Sequence, residues 1–317
     1  MSTTQFASKG DLSDKTISFS EIGPGLFAYT AEGDPNTGII VGDDSCMVID
    51  AQATPAMAHD VISRVRTVTD KPIKYVLLSH YHAVRVLGAS AYGASEVVAH
   101  EATRKLIVER GEEDMASEIA RFPRLFRGKE SIPGLTWPSL TFEGALTLWL
   151  GKRRVEILHP GRGHTAGDTI AWVPDAGVLF SGDLIEYKSA CYCGDAFLRE
   201  WPATLRRLAA YHPVAVVPGR GDALVGEDKV SAAIAGTTDF VTALYGAAER
   251  AVAKGYSLKE TFSDVRKALD EPFGDYAIYE HCLPFNVSRA YDEAQGIDWP
   301  RIWTDERDLA MWQSLQA

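Results

Sequence analysis

The sequence predicts an α/β protein with a helical C-terminal region, and three observations carry that expectation. Apolar runs of strand length alternate with helical spacing over residues 20–217. An apolar run feeds a polar cluster three times: Tyr75 to His80, Gly177 to Asp183, and Val214 to Asp222. From about residue 226 the pattern turns helical and stays so to the end. In open α/β sheets functional groups gather beyond strand ends, where loops present them. Three such ends can therefore converge on one site.

In chain order, residues 1–16 read as a polar arm. Leu26 to Tyr29, Thr37 to Val41 and Cys46 to Ile49 are apolar and separated by Gly, Asp and Asn, which predicts an antiparallel set of strands. Pro55 to Thr67 spaces Ala58, Val61, Ile62 and Val65 for one buried helical face. Tyr75 to Leu78 and Val97 to Ala99 read as buried strands, followed by two helical stretches at 101–110 and 114–123. Phe122 to Pro138, with three prolines, reads as an irregular loop. Strands are expected at 141–149, 153–158, 168–173, 177–181 and 214–217, with a helix near 199–210. Ser257 with Glu260 three residues on forms a capping-box signature for a helix near 258. No linker marks a boundary, so the expected organisation is an arm (1–16), a core (17–225) and a helical extension packed on the same domain (226–317).

Composition narrows the function. Apolar residues make up 46% and charged residues 24%, an ordinary globular balance. Asp plus Glu number 43 against 32 Lys plus Arg, giving a formal charge of −11. Such a chain lacks the basic surface that polynucleotide binding needs, so no nucleic-acid partner is expected. Four cysteines (Cys46, Cys191, Cys193, Cys282) in 317 residues fit reduced thiols rather than a disulfide framework. The polar start has no apolar signal region, and no stretch approaches the ~20 apolar residues of a membrane span. A cytoplasmic protein without a membrane partner is the expectation.

His80-Tyr81-His82 lies just beyond a strand, where extended backbone would direct both imidazoles to one side. His164 sits in the glycine-rich turn Gly161 to Asp168, and Asp183 ends a third strand. Three imidazoles and a carboxylate suit zinc, with iron or manganese feasible. The order and context resemble the metallo-β-lactamase superfamily over about residues 20–225. Asp50 resembles the first motif of that family, His80 and His82 the first two histidines of H-x-H-x-D-H, His164 in Gly-His-Thr-Ala-Gly-Asp the third motif, and Asp183 the fourth. Val217 to Gly221 occupies the place of the fifth. The resemblance implies a four-layer αβ/βα sandwich of the metallo-β-lactamase type, with the helical extension added to it.

The departures are equally informative. Val84 and Arg85 stand where the family completes H-x-H-x-D-H, and Arg220 stands where its fifth motif carries a histidine. In the family those positions serve a second metal, so the resemblance implies one metal per chain, held by His80, His82 and His164. Removing a dication leaves buried negative charge uncompensated, which is costly. Arg85 and Arg220 return positive charge. They fit internal salt bridges to Asp50, Asp183, Asp168 or Asp222, and equally a grip on an anionic substrate group.

The expected activity is hydrolysis of a small organic substrate, anionic or neutral, through a metal-bound water: an ester, lactone, thioester, amide or activated carbon–halogen bond. Asp183 is expected to ligate the metal or act as base, Asp50 to support a ligand from behind, and Arg85 or Arg220 to stabilise an oxyanion. The alternative is a non-catalytic homologue that keeps one metal site. Cys191, Cys193 and His281 are further candidates for the site, though free cysteines are commonly small buried hydrophobes. Tyr192, Trp201 and the aromatics of 122–137 fit either a substrate wall or core packing. Trp299, Trp303 and Trp312 fit either a core cap or a homo-oligomer contact.

Overall fold

The computed structural model describes residues 7–316, so the first six residues of the expected polar arm lie outside the described residues. Strands β1 (Ser18–Gly23), β2 (Leu26–Ala31), β3 (Asp34–Val41) and β4 (Cys46–Ile49) pair antiparallel in sequence order. β1 escaped the sequence reading because it is a largely solvent-facing edge strand with little apolar content. Helix α1 (Pro55–Val65) starts on Thr54, whose hydroxyl accepts the Met57 N–H, with Pro55 in the first turn. β5 (Ile73–Leu77), the one-turn helix α2 (Ala83–Val86), β6 (Glu96–His100), helix α3 (Glu101–Arg121) and β7 (Leu140–Phe142) follow. β4 to β7 pair parallel and complete a seven-stranded sheet.

The second sheet has six strands in the order β13-β12-β11-β10-β9-β8. They are β8 (Ala145–Leu150), β9 (Arg153–Leu158), β10 (Ile170–Val173), β11 (Val178–Gly182), β12 (Ala215–Pro218) and β13 (Leu224–Val225). Helix α4 (Trp201–Ala209) makes the crossover between the parallel pair β11 and β12. Four helices close the chain: α5 (Glu227–Ala253), α6 (Leu258–Phe273), α7 (Tyr279–Ala294) and α8 (Asp305–Gln316). The capping box opens α6 as expected, with Ser257 and Glu260 each accepting the other's backbone N–H.

Alternation along the strands builds the layers. In β4, Met47 and Ile49 face the second sheet, where Val155, Val173, Phe180 and Val217 meet them, while Cys46 and Val48 face outward onto α1 and its neighbours. The outer face of the second sheet, through Ile170, Leu179 and Val216, is covered by α4 and the C-terminal helices. Helix, sheet, sheet, helix is the expected four-layer arrangement, with the C-terminal helices thickening one side. Among the described residues no helix is long and apolar enough to cross a membrane.

Two of the expected stretches are built differently. The helical stretches at 101–110 and 114–123 are one helix, α3, continuous through Gly111. A helix-interior glycine costs about 1 kcal/mol relative to alanine, which tertiary burial outweighs. Its buried stripe (Arg110, Asp114, Ser117, Glu118, Arg121) is polar, so an apolar-periodicity reading does not find it. The expected strand at 141–149 is two strands, β7 and β8, in different sheets. Gly144, at φ 78°, makes the turn that carries the chain from one sheet to the other.

Candidate metal centre

At one end of the two packed sheets, five strand-end loops build a cluster. Asp50, just past β4, adopts a left-handed backbone (φ 63°), a conformation Asp tolerates better than most residues. From there its carboxylate accepts the Ser79 N–H and the Ser79 hydroxyl, both at 2.8 Å. Burial pushes the Asp50 carboxyl up to about 6, against the opposing pull of Arg85. The Ser79 hydroxyl gives its one proton to Asp50, so its oxygen, 2.8 Å from His80 Nδ1, accepts the proton carried there. That leaves His80 Nε2 with a lone pair, buried and without a hydrogen-bond partner among the described residues.

The other two imidazoles are fixed in the same way. His82 Nε2 lies 3.2 Å from Asp195 Oδ2, and His164 Nδ1 lies 2.8 Å from the carbonyl of Tyr192. Each of these nitrogens carries the proton, which turns His82 Nδ1 and His164 Nε2 into lone pairs. They sit 2.9 Å apart. The ligand atoms of His80, His82 and His164 all lie within 4.8 Å of one another, and all three residues are buried. Burial holds His80 well below its ordinary value and His164 at about 3, so both are neutral ligands. Burial lowers His82, but Asp195 and Asp114 raise it above its ordinary value, so a divalent cation among the three converging nitrogens takes the place of a proton there. Each opposite nitrogen is oriented by an oxygen, as ligating histidines usually are. Asp195 stays ionised at about 2: burial raises it, but His82 and Arg110 overcome that.

Asp183, beyond β11, places Oδ2 3.7 Å from His164 Nε2 and 3.9 Å from His80 Nε2. Arg220 Nη1 donates to the same oxygen at 2.8 Å, and Arg85 Nη2 is ion-paired with Oδ1. Burial would raise this carboxyl, yet Arg85, His80 and Arg220 hold it well below the usual range. Arg85 is fully buried and also donates to the carbonyls of Asn36 (3.0 Å) and Gly219 (2.8 Å), so it staples β3 of one sheet to the loop after β12 of the other. Its Nη1 is 3.9 Å from Asp50 Oδ2. Gly219 is required here, because a Cβ would collide with Asp183.

A narrow cavity opens onto this cluster. His82, His164, Asp183 and Arg220 border it on one side, and Val84, Phe122, Leu125, Tyr192 and Ile278 supply apolar wall. Glu118, Arg121, His281 and Cys282 complete it.

Seven of the residues singled out from the sequence fall in one place. His80, His82 and His164 converge; Asp50 stands behind His80 through Ser79; Arg85 and Arg220 both meet Asp183. Asp168 instead closes its own turn by accepting from Thr165, and Asp222 is exposed. Of the further candidates, His281 reaches the cavity wall. Cys191 and Cys193 are buried outside the histidine cluster, with thiols raised well above their ordinary value by burial. That segment contributes the Tyr192 carbonyl and Asp195 instead. Trp201 is core, its indole N–H on the Leu184 carbonyl, and Trp303 is buried on the Gly194 carbonyl. Sequence reasoning missed Asp195 and the charged stripe of α3. Asp114 and Glu118 accept the N–H groups of Ala83 and Val84, at 2.7 and 3.0 Å, and so hold the start of α2 behind His82. The spacing of charges at 110, 114, 118 and 121 was the available signal.

Comparison with known proteins agrees with this geometry. Residues 30–220 match the family model described as the metallo-beta-lactamase superfamily. The chain is 25% identical to a metallo-beta-lactamase type 2 of Bacillus sp. (strain 170) over 218 residues, covering 65% of this chain and 77% of that protein. It is 23% identical to the type 2 enzyme of Pseudomonas aeruginosa over 201 residues, covering 61% and 72% respectively. Among solved structures, a metallo-beta-lactamase from Pontibacter korlensis superposes with TM-score 0.57 at 21% identity, over 72% of this chain and 99% of that one. A double mutant of the sec-alkyl sulfatase PisA1 superposes with TM-score 0.71 at 18% identity, over 88% of this chain and 50% of that one. With the motifs, the two-sheet architecture and the three-histidine cluster in register with that family model, this chain belongs to the metallo-beta-lactamase superfamily.

Proposed function

We propose that the protein is a single-metal hydrolase acting on a small organic substrate. The observation that carries this reading is the convergence of three imidazole lone pairs beside a site where Val84, Arg85 and Arg220 replace further ligands. Zinc fits the three nitrogens, with iron or manganese as substitutes. Such an ion lowers the pKa of a bound water towards ~7 and polarises the bond to be cleaved.

The chain's own residues then have distinct tasks. Ser79 with Asp50, Asp195, and the Tyr192 carbonyl orient His80, His82 and His164. Asp183 stays ionised between two guanidinium groups, and its Oδ2, which faces His80 and His164, accepts a hydrogen bond from the attacking water and orients it. Arg85, enclosed behind Asp183, positions that carboxylate. Arg220 stands at the cavity wall, where it meets negative charge developing on a substrate oxygen. The cavity wall of Val84, Phe122 and Leu125 favours a partly apolar substrate. Esters, lactones, amides including β-lactams, alkyl sulfates and activated carbon–halogen bonds are the bonds to screen.

The test is elemental analysis of protein purified without chelators, alongside the His164→Ala variant. About one metal per chain, lost in the variant, together with metal-dependent turnover of a compound from that panel, is the expected result. Two metals per chain would overturn the single-metal reading. One metal without any turnover would favour the non-catalytic homologue.

A further inference from the structure

Arg121, in the last turn of α3, has no role in orienting the histidines. It lines the cavity, is 2% exposed, and lies over the Phe285 and Tyr192 rings, 4.3 and 4.9 Å from their centroids. Its Nη2 donates to the Tyr192 hydroxyl at 3.2 Å and is 3.7 Å from Glu118 Oε1. Its Nε and Nη1 are buried and have no hydrogen-bond partner among the described residues. Buried donors are nearly always satisfied, and an unpartnered cationic one is costly. The other cavity arginine, Arg220, is committed to Asp183 and lies 3.5 Å from Glu186 Oε1. Arg121 is thus a cavity cation with two buried donors to spare. Its place is fixed from outside: Ser8 donates its hydroxyl proton to the Arg121 carbonyl and its oxygen takes the His281 Nδ1 proton at 2.7 Å.

We infer that Arg121 binds the anionic head of the substrate, a carboxylate or sulfate on a short apolar body that packs against Leu125, Phe122 and Ile278. A guanidinium already stacked on two rings loses little freedom on binding, and it suits flat or tetrahedral oxyanions better than a lysine does. The inference deepens the hydrolase reading: it rests on that reading for the reaction but not for the binding itself.

The test measures binding of hexanoate, hexyl sulfate and neutral hexanamide to the metal-loaded protein by calorimetry and by shift in melting temperature. Both anions are expected to bind, and the amide at least about tenfold more weakly. Arg121→Gln should lose about tenfold or more in anion affinity, with Arg121→Lys between the two. Metal content should stay unchanged in both variants. Anion binding should also survive in His164→Ala, since Arg121 is not a ligand. Unchanged affinity in Arg121→Gln, equal binding of the amide, or no anion binding to the wild type would overturn the inference. So would binding lost in His164→Ala yet kept in Arg121→Gln, which would place the anion on the metal. If Arg121→Gln does not fold, Leu125→Trp fills the cavity beside an intact Arg121, and anion binding that persists in it would overturn the assignment equally. Absence of metal with anion binding intact would sink the hydrolase reading and leave this one standing.

Discussion

Asp183 sets the electrostatics of the centre. A carboxylate buried to this degree costs several kcal/mol unless paired, and two guanidinium groups pair with it. Arg220→Met should therefore destabilise the protein by about 2–4 kcal/mol, less than a fully orphaned charge because Arg85 remains. Arg220→Lys should recover only part of that loss, since an ammonium cannot reproduce the fork. Chemical denaturation of the three proteins reads this directly, and equal stability of wild type and Arg220→Met would show that Arg85 suffices alone. Asp195 acts at the same scale through His82. Asp195→Asn removes the charge that holds the Nε2 proton, so zinc affinity should fall about 10- to 100-fold with the fold intact. A competition titration with a chromogenic chelator would detect it.

At the scale of elements, α3 is built from its two ends. Its first turn is capped by His100, whose Nδ1 accepts the Ala102 N–H at 3.1 Å while the ring stacks on His159, 4.2 Å between centroids. Accepting requires the neutral imidazole. Burial, followed by the His159 charge, lowers His100 from 6.5 to about 4. The folded value lies below the unfolded one, so the cap's contribution is complete above 6.5 and is lost as the pH falls towards 4. Protonation removes a cap of about 1 kcal/mol. His100→Asn keeps a capping acceptor that does not titrate, so its melting temperature should fall less steeply than that of the wild type between pH 6.5 and 4. Parallel slopes would show that the cap does not titrate. Beyond that cap Leu106 and Ile107 pack into the core, and farther along the buried side turns polar, with Asp114 and Glu118 holding the start of α2 behind His82.

Across the whole molecule, the C-terminal helices belong to the site. Asn286 of α7 accepts the Cys193 N–H and donates to the Cys191 carbonyl, both at 2.7 Å. Arg289 donates to the Ala196 carbonyl at 2.7 Å, and Glu293 accepts the Leu198 N–H at 2.9 Å. One helix thereby clamps the 191–198 segment, whose Tyr192 and Asp195 orient two of the three histidines. Asn286→Ala should cost about 1–3 kcal/mol, because two buried backbone groups lose their partners. It should also weaken zinc binding, although Asn286 touches no histidine. Thermal unfolding with and without chelator separates the two effects: a variant that is destabilised yet binds zinc as tightly as wild type would confine α7 to a structural role.

What the sequence determined by itself was the part written in local pattern. Strand-end motifs, read with the family resemblance, named His80, His82, His164, Asp183 and Asp50, and apolar runs of strand length between turn residues named most strands, because apolar burial and glycine turns are short-range constraints. The paired substitutions Arg85 and Arg220 were legible as charge compensation, with Asp183 one of four candidate partners and the choice among them left to the fold. Tertiary structure alone decided the rest. Asp195, the Tyr192 carbonyl and the α3 stripe reach the centre from elements remote in sequence, and their residue types carry no local mark of that task. A charged stripe resembles a solvated face until the fold buries it, and a tyrosine offers its backbone carbonyl without any sign in the side chain. The continuity of α3 through Gly111 and the change of sheet at Gly144 were hidden for a related reason: packing against distant residues outweighed the local preference at each position.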